Sequence, residues 1–389
     1  MPTSDFRGYA SEISANANSI ALAIECTIAR MPIKQNVHAA ALWTVCAACA
    51  SGGTGVPADT PWHFAVSGDS RNCGDVVMPA IAAGVRADQA AFYWHLGDLR
   101  AIRDFDEDYH ALHPKSSIDE YLSTAWLDFE RNQIEPFGSM PVFLSIGNHE
   151  VIPPKTRDEF VLTFADWLNG PAVREQRLDD DVHDHKIRSY YHWTMDGVDF
   201  ISLDNATPDQ FDAAQLKWLT QILLRDQHDD AIRALVVGMH EALPESLARG
   251  HSMNDSPAAA AAGLQVYGQL LEVRKAKPVY VLASHSHFVM ENIFDTQYWR
   301  EHGGVLPGWI VGTAGAIRYA LPPDAARAKF ARTHVYGYLS AVVSPARVDK
   351  RNPIHFEFRE VTEAAVGADV VDRFGAELVH RCFQENAQN

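Results

Sequence analysis

Residues 142–150 read VFLSIGNHE. The first half, Val142–Ile146, is short, apolar and rich in β-formers, the composition of a buried strand. The second half, Gly147-Asn148-His149-Glu150, cannot continue it. Glycine lets the chain turn sharply, asparagine is a poor strand residue, and the tetrad has no evident packing use. A strand that stops in this way delivers polar side chains to a rim, where binding and catalytic residues concentrate.

The same arrangement recurs along the chain. His63–Ser67 runs into Gly68-Asp69-Ser70-Arg71, and Ala91–Leu96 into Gly97-Asp98-Leu99-Arg100. Ala234–Gly238 leads to Met239-His240, and Val279–Ala283 to Ser284-His285-Ser286-His287. Each block alone says little: a Gly-Asp after a strand is common in turns, and a lone histidine such as His240 is more often a hydrogen-bonded core residue. Their shared placement has no packing explanation. Two carboxylates (Asp69, Asp98), one amide (Asn148) and three imidazoles (His240, His285, His287) suit a pair of borderline divalent cations. Read as an extended segment, His285 and His287 point the same way and can each serve one ion.

Further strands are expected at Ser189–Met195, Val198–Leu203, Trp309–Val311, Tyr336–Val343 and Ile354–Val361, with Asp196-Gly197 turning a hairpin. Gln215–Leu224 has helical spacing. The mixture predicts an α/β fold, a two-layer mixed β-sandwich flanked by helices. At about 150 residues per domain, the expected division is a leader over 1–60, a main domain over 61–345 and a C-terminal strand with a helix or tail over 346–389. Phe92-Tyr93-Trp94 reads as core, not as a base-stacking platform. Thirty-three basic against fifty acidic residues give a charge of −17, which argues against a nucleic-acid surface. Anionic substrates stay open, because bound cations reverse the local field.

Residues 31–53 have the layout of an export signal: Lys34, then the apolar run AAALWTVCAACA from Ala39 to Ala50, then small residues. The run is short of the roughly 20 residues that span a membrane. Translation is expected to start at Met31 and the mature chain to begin after Ala48 or Ala50, with Cys49 a possible lipid anchor. Export, as a periplasmic or secreted protein, is the expected localisation; a buried N-terminal helix in a cytoplasmic protein is the alternative. Cys46-Ala-Ala-Cys49 has the spacing of a redox or zinc pair, but its alanine-rich setting argues against both roles.

Over about residues 62–318 the set of strand-end motifs resembles the calcineurin-like metallophosphoesterase superfamily. The resemblance implies a four-layer αββα fold and metal-dependent hydrolysis of phosphate esters. The implied nucleophile is a hydroxide bridging two divalent ions (Mn, Zn, Fe or Mg), and the implied substrate a small phosphorylated molecule. It makes Asp69 the first-motif aspartate, Asp98 the carboxylate shared by both ions, and Asn148, His240, His285 and His287 further ligands. By the same resemblance, His149 would contact the phosphate and leaving group. Ser202-Leu203-Asp204 with Gln215 and Trp218, and Gly312-Thr313-Ala314-Gly315, are softer similarities.

Two positions depart from the pattern. Ser284 stands where the family has glycine, and Arg71 stands where the first motif has a second ligand, histidine. The purple-acid-phosphatase tyrosine would fall at Ala101. His63 cannot substitute, lying about 20 Å from Asp69 along its strand. Asn72, Cys73 or Asp75 folding back, or water, is expected to fill the place. Arg71 itself offers a charged planar fork to two phosphate oxygens, or else makes a surface ion pair of little worth. Asp179–His185 reads as a solvated acidic loop, with a cation site as its alternative, and His251 as a polar-loop residue, with a place on the substrate side of the rim as its alternative. Two alternatives accompany the hydrolase reading. One is a catalytically weakened phosphate-ligand binding protein of the same fold; the other is a phosphodiesterase or pyrophosphohydrolase instead of a monoesterase.

Overall fold

The computed structural model describes residues 60–206, 211–254 and 256–387. The leader, with the export layout and Cys49, lies outside them. Among the described residues, twelve strands form two sheets. They are β1 (Trp62–Ser67), β2 (Tyr93–His95), β3 (Val142–Leu144), β4 (Tyr191–Met195), β5 (Val198–Ser202), β6 (Ala234–Gly238), β7 (Val279–Ala283), β8 (Val289–Glu291), β9 (Gly308–Val311), β10 (Phe330–Arg332), β11 (Tyr336–Val343) and β12 (Ile354–Val361). One sheet runs β12-β11-β1-β2-β3 and the other β10-β8-β9-β7-β6-β5-β4. Both are mixed: β1, β2 and β3 are parallel, as are β5, β6, β7 and β9, while β11 and β12 pair antiparallel.

Alternation along the strands assigns each side chain to a layer. Phe64, Val66, Phe92 and Trp94 face the core between the sheets, whereas Ala65 and Tyr93 face outward into a second core under helix Gly74–Ala87. In the inter-sheet core the Phe143 and Trp193 rings stack at 3.8 Å, and Phe64 meets Phe200 edge-on at 5.0 Å. Aromatic pairs of this kind contribute about 0.5–1.5 kcal/mol beyond area burial. On the far side of the larger sheet, Ile201 and Leu235 pack with Leu219 and Leu223 of helix Ala213–His228 and with Val266 and Leu270 of helix Pro257–Arg274. Helix, sheet, sheet, helix is the expected layer order.

Several expectations need adjustment. Strands β2 and β3 end one and two residues before the apolar runs do, because the chain leaves the ladder to build the rim. The helix read at Gln215–Leu224 extends to Ala213–His228, with the Asp212 carboxylate capping it by accepting from the Gln215 N–H at 2.7 Å. The C-terminal segment is no loose tail: helices Ala368–Phe374 and Ala376–Gln384 pack on the outer core of the smaller sheet. A disulfide between Cys73 and Cys382 joins the second of them to the turn after β1.

One buried charge cluster predicts a pH dependence. On β4, His192 lies between Asp199 (Nδ1 to Oδ1 2.9 Å) and Asp180 (Nε2 to Oδ2 2.5 Å), with Arg225 beside them. Burial opposes its charge, but Asp199 and then Asp180 raise its pKa to about 9 from an ordinary 6.5. A raised folded pKa gives stability that is complete below the unfolded value and lost as pH rises through the folded one. Thermal stability should therefore decline as pH rises from 6.5 to 9, and His192→Gln should be less stable below that window and lose much of the decline within it. A melting-temperature series against pH checks this; parallel curves for the two proteins would exclude His192 as the cause.

Candidate metal centre

The parallel strands β1, β2 and β3 of one sheet and β6 and β7 of the other end at one edge of the sandwich, where ligands of open α/β sheets collect. Three of the side chains at that edge sit on backbone that ordinary residues avoid: φ is 61° at Asp69, 59° at Asp98 and 62° at His285. Left-handed non-glycine residues are uncommon and cluster at functional sites. For His285 this corrects the extended segment expected. The chain bends at Ser284-His285-Ser286-His287, and the two imidazoles reach different clusters.

Close backbone approach is built into the rim. At Gly147 a Cβ would lie 2.3 Å from Asp98 N and 2.4 Å from Asp98 Oδ1, so only glycine admits the Asp98 loop here. Glu150 clamps that loop, its carboxylate accepting from the N–H groups of Asp98 and Leu99 at 2.9 Å and of Gly147 at 2.8 Å. Burial, and then Asp98, raise the Glu150 pKa to about 7. Its position in the tetrad drew attention in the sequence, but not its role.

Two groups of ligand atoms, each within 4.8 Å of one another, share Asp98: Asp98, His240 and His285 in one, Asp69, Asp98 and His287 in the other. In the first, His240 Nδ1–H donates to the Leu96 carbonyl at 2.9 Å, so Nε2 is the atom turned to the centre. That Nε2 lies 2.9 Å from Asn148 Oδ1 and 3.2 Å from Asp98 Oδ1, and His285 Nδ1 is 3.1 Å from both Asn148 Oδ1 and His240 Nε2. Ser284, the departure from glycine, donates its hydroxyl to the same Leu96 carbonyl at 2.8 Å and so braces His240. In the second group, His287 Nδ1 donates to the Ile317 carbonyl at 2.6 Å, leaving Nε2 3.3 Å from Asp69 Oδ1.

Two carboxylate oxygens of this centre lack hydrogen-bond partners among the described residues. Asp69 Oδ1 and Asp98 Oδ2 are buried and make no hydrogen bond to any described residue, a state that costs about 1–3 kcal/mol or more for a charged oxygen. Burial works against ionisation of Asp98, yet His240, His149 and Arg71 hold its pKa well below the usual carboxylate range. Burial opposes charge on His240 too, but Asp98 lifts it to about 10, whereas burial and His240 together push His285 down to about 3. Converging nitrogen and oxygen atoms beside orphaned carboxylate oxygens fit a divalent ion, whose binding would displace the His240 proton.

His149 sits apart from the ligands. Its N–H donates to Asp98 Oδ1 at 2.9 Å, its Nδ1 is held by the Ala101 carbonyl at 2.5 Å, and its Nε2 faces the centre 3.8 Å from Asp98 Oδ2. Arg71 reaches inward: Nη2 is 3.0 Å from His287 Nε2 and Nε 3.5 Å from Asp98 Oδ2. None of the expected substitute ligands folds back. Cys73 is in the disulfide, Asn72 Oδ1 accepts from the Ile317 N–H at 3.3 Å, and Asp75 is 2.7 Å from the buried Arg100, which also meets Asp106, Asp108 and Asp128.

Two rings cover the rim. His251 packs edge-on to His285 at 5.7 Å and stacks on Tyr319 at 5.3 Å, and Tyr319 stacks on His287 at 3.9 Å. The sequence offered this place for His251 only as an alternative to a plain loop, and carried no signal for Tyr319, which follows the Gly312–Gly315 turn without a motif of its own. Asp204 and Gln215 are structural: Gln215 bridges the Asp204 N–H and carbonyl, each at 2.8 Å, and Arg157 pairs with the carboxylate. In the acidic stretch, Asp180 and Asp184 are tied to His192 and Arg188.

No protein-family model matches the chain, and no curated protein does either. Solved structures do. Purple acid phosphatase PPD1 from yellow lupin seeds superposes with a TM-score of 0.50 at 14% identity, covering 78% of this chain and 52% of that one. The fold is of the metallophosphoesterase type. PhoD follows with a TM-score of 0.47 at 14% identity, covering 86% of this chain and 78% of that one. A dimetal phosphatase from Danio rerio gives 0.47 at 12% identity, covering 77% and 96%. The chain spans about half the length of the lupin protein. In this metallophosphoesterase-type fold both ligand groups occupy the edge where the parallel strands end.

Proposed function

We propose that the chain hydrolyses phosphate esters with divalent metal, one ion at Asp98, Asn148, His240 and His285 and a second at Asp69, Asp98 and His287. The observation that carries this reading is the first group: oxygen and nitrogen atoms of Asp98, Asn148, His240 and His285, all of types that bind metal, lie within 3.2 Å or less along the chain of contacts. Beside them, Asp98 Oδ2 is buried and makes no hydrogen bond to any described residue. When bound, such ions lower the pKa of water towards about 7 and neutralise phosphoryl oxygens.

The protein's own groups supply the rest. Asp98, held rigid by Glu150, belongs to both groups. His149 is pinned through Nδ1, so Nε2 faces the centre. As the imidazolium, which burial opposes and Asp98 favours, it would pass the Nε2 proton to a departing ester oxygen, a contribution of about 10²–10⁴-fold. Arg71 offers N–H groups to phosphoryl oxygens, and His251 with Tyr319 frames the entry. The disulfide between Cys73 and Cys382 favours an oxidising compartment, in keeping with export. No described helix is long and apolar enough to cross a membrane.

Which ester is cleaved depends on loops that vary within one fold. Mono-, di- and pyrophosphate substrates assayed with Mn, Zn, Fe and Mg test the proposal. Turnover of at least one ester class is expected with metal, and inactivity across the whole panel would refute it.

A further inference from the structure

The second ligand group already contains a cation of the protein's own. With Nδ1–H given to the Ile317 carbonyl, His287 Nε2 carries a lone pair, and Arg71 Nη2 lies 3.0 Å from it. That lone pair is the one a metal at Asp69, Asp98 and His287 would use. The guanidinium's Nε is 3.5 Å from Asp98 Oδ2, the shared carboxylate, and a hydrogen bond of 3.5 Å links Nη2 to the Tyr319 hydroxyl. A guanidinium offers only donors and cannot itself be a ligand. It therefore takes up the acceptors of the second position without completing it.

The fit is loose. Arg71 Nε and Asp98 Oδ2 are both buried and both lack a hydrogen-bond partner among the described residues, although they face each other. Asp69 Oδ1 is likewise unsatisfied, 3.3 Å from His287 Nε2. A permanent structural ion pair would close these bonds with the fork-to-fork geometry that arginine makes with carboxylates. Partial occupation suits a group that leaves when something better arrives. In the first group, by contrast, no guanidinium or ammonium among the described residues meets Asn148, His240 or His285.

We infer that Arg71 and the second metal ion compete for Asp69, Asp98 and His287, so that the chain takes one ion readily and a second only by displacing the guanidinium. This rests on the proposed metal-dependent reading and assigns its two positions unequal affinities. Displaced, the guanidinium remains tethered beside the centre, where it can meet a phosphate; the step that admits the second ion thus also frees the phosphate-binding group.

The test is metal binding itself, read without turnover. Chelator-stripped wild-type protein is titrated with Mn(II) by equilibrium dialysis, and the electron paramagnetic resonance spectrum is followed for the signature of a coupled Mn pair. One tight ion is expected, with a second at least about tenfold weaker and the pair signature confined to high Mn(II). Arg71→Ala removes both occupant and charge and should tighten the second ion about tenfold, and Arg71→His, which adds a ligand, should tighten it further. Two ions of equal affinity in wild type, or an Arg71→Ala second ion no tighter than wild type, would overturn the inference. The wild-type result decides even where a variant fails to fold. Unequal ions without phosphoester hydrolysis would leave the competition standing and remove the proposed function, while hydrolysis with two equal ions would do the reverse. A chain that binds no Mn(II) would remove both.

Discussion

Asp98→Asn is expected to abolish hydrolysis, lowering kcat/KM by about 10³-fold or more, and to strip metal from the protein. The amide keeps the shape of the side chain, and the loop is held from outside by the Glu150 carboxylate, so the fold should survive. What is lost is the one negative charge common to both ligand groups. His149→Ala provides the contrast. Its ring is no member of either ligand group, so metal content should stay near wild type while kcat falls by about 10²–10⁴-fold. Metal analysis and steady-state kinetics on the two variants separate the roles. Activity near wild type in Asp98→Asn would contradict the shared-ligand assignment, and metal loss in His149→Ala would make that residue a ligand instead of a proton donor.

Reduction of the disulfide between Cys73 and Cys382 should cost about 2–5 kcal/mol of stability. The two cysteines are 309 residues apart, so the bond constrains nearly the whole described chain in the unfolded state. Locally it ties helix Ala376–Gln384 to the turn that carries Arg71 and Asn72. The paired substitution Cys73→Ala with Cys382→Ala should therefore lower the melting temperature and, by loosening that turn, weaken any function of Arg71 before the fold is lost. Denaturant unfolding of oxidised protein, reduced protein and the double variant measures this. Superimposable curves would show the bond to be energetically idle.

The strand-end motifs were legible because their signal is local: an apolar run, a turn, then a side chain with a lone pair. Asp69, Asp98, Asn148, His240, His285 and His287 come together although they arise from five strands, and the αββα layering follows from alternation within those strands. What the sequence did not disclose depends on distant partners. Arg100 looks like a rim residue beside Asp98, yet it is buried among Asp75, Asp106, Asp108 and Asp128, and this is why Asp75 is unavailable as a ligand. The pairing of Cys73 with Cys382 cannot be read from spacing, and Tyr319 reaches the centre through tertiary placement alone. The left-handed bend at His285 ran against the strand-like reading of His-x-His, a strain that the surrounding contacts over-determine.

Removing and restoring metal tests the central claim most directly. Protein stripped by chelator and assayed on the best phosphate ester of the panel should lose its turnover, and added divalent ion should return it to wild type but not to Asp98→Asn. Hydrolysis that persists undiminished in protein shown by metal analysis to be free of ions would contradict the account.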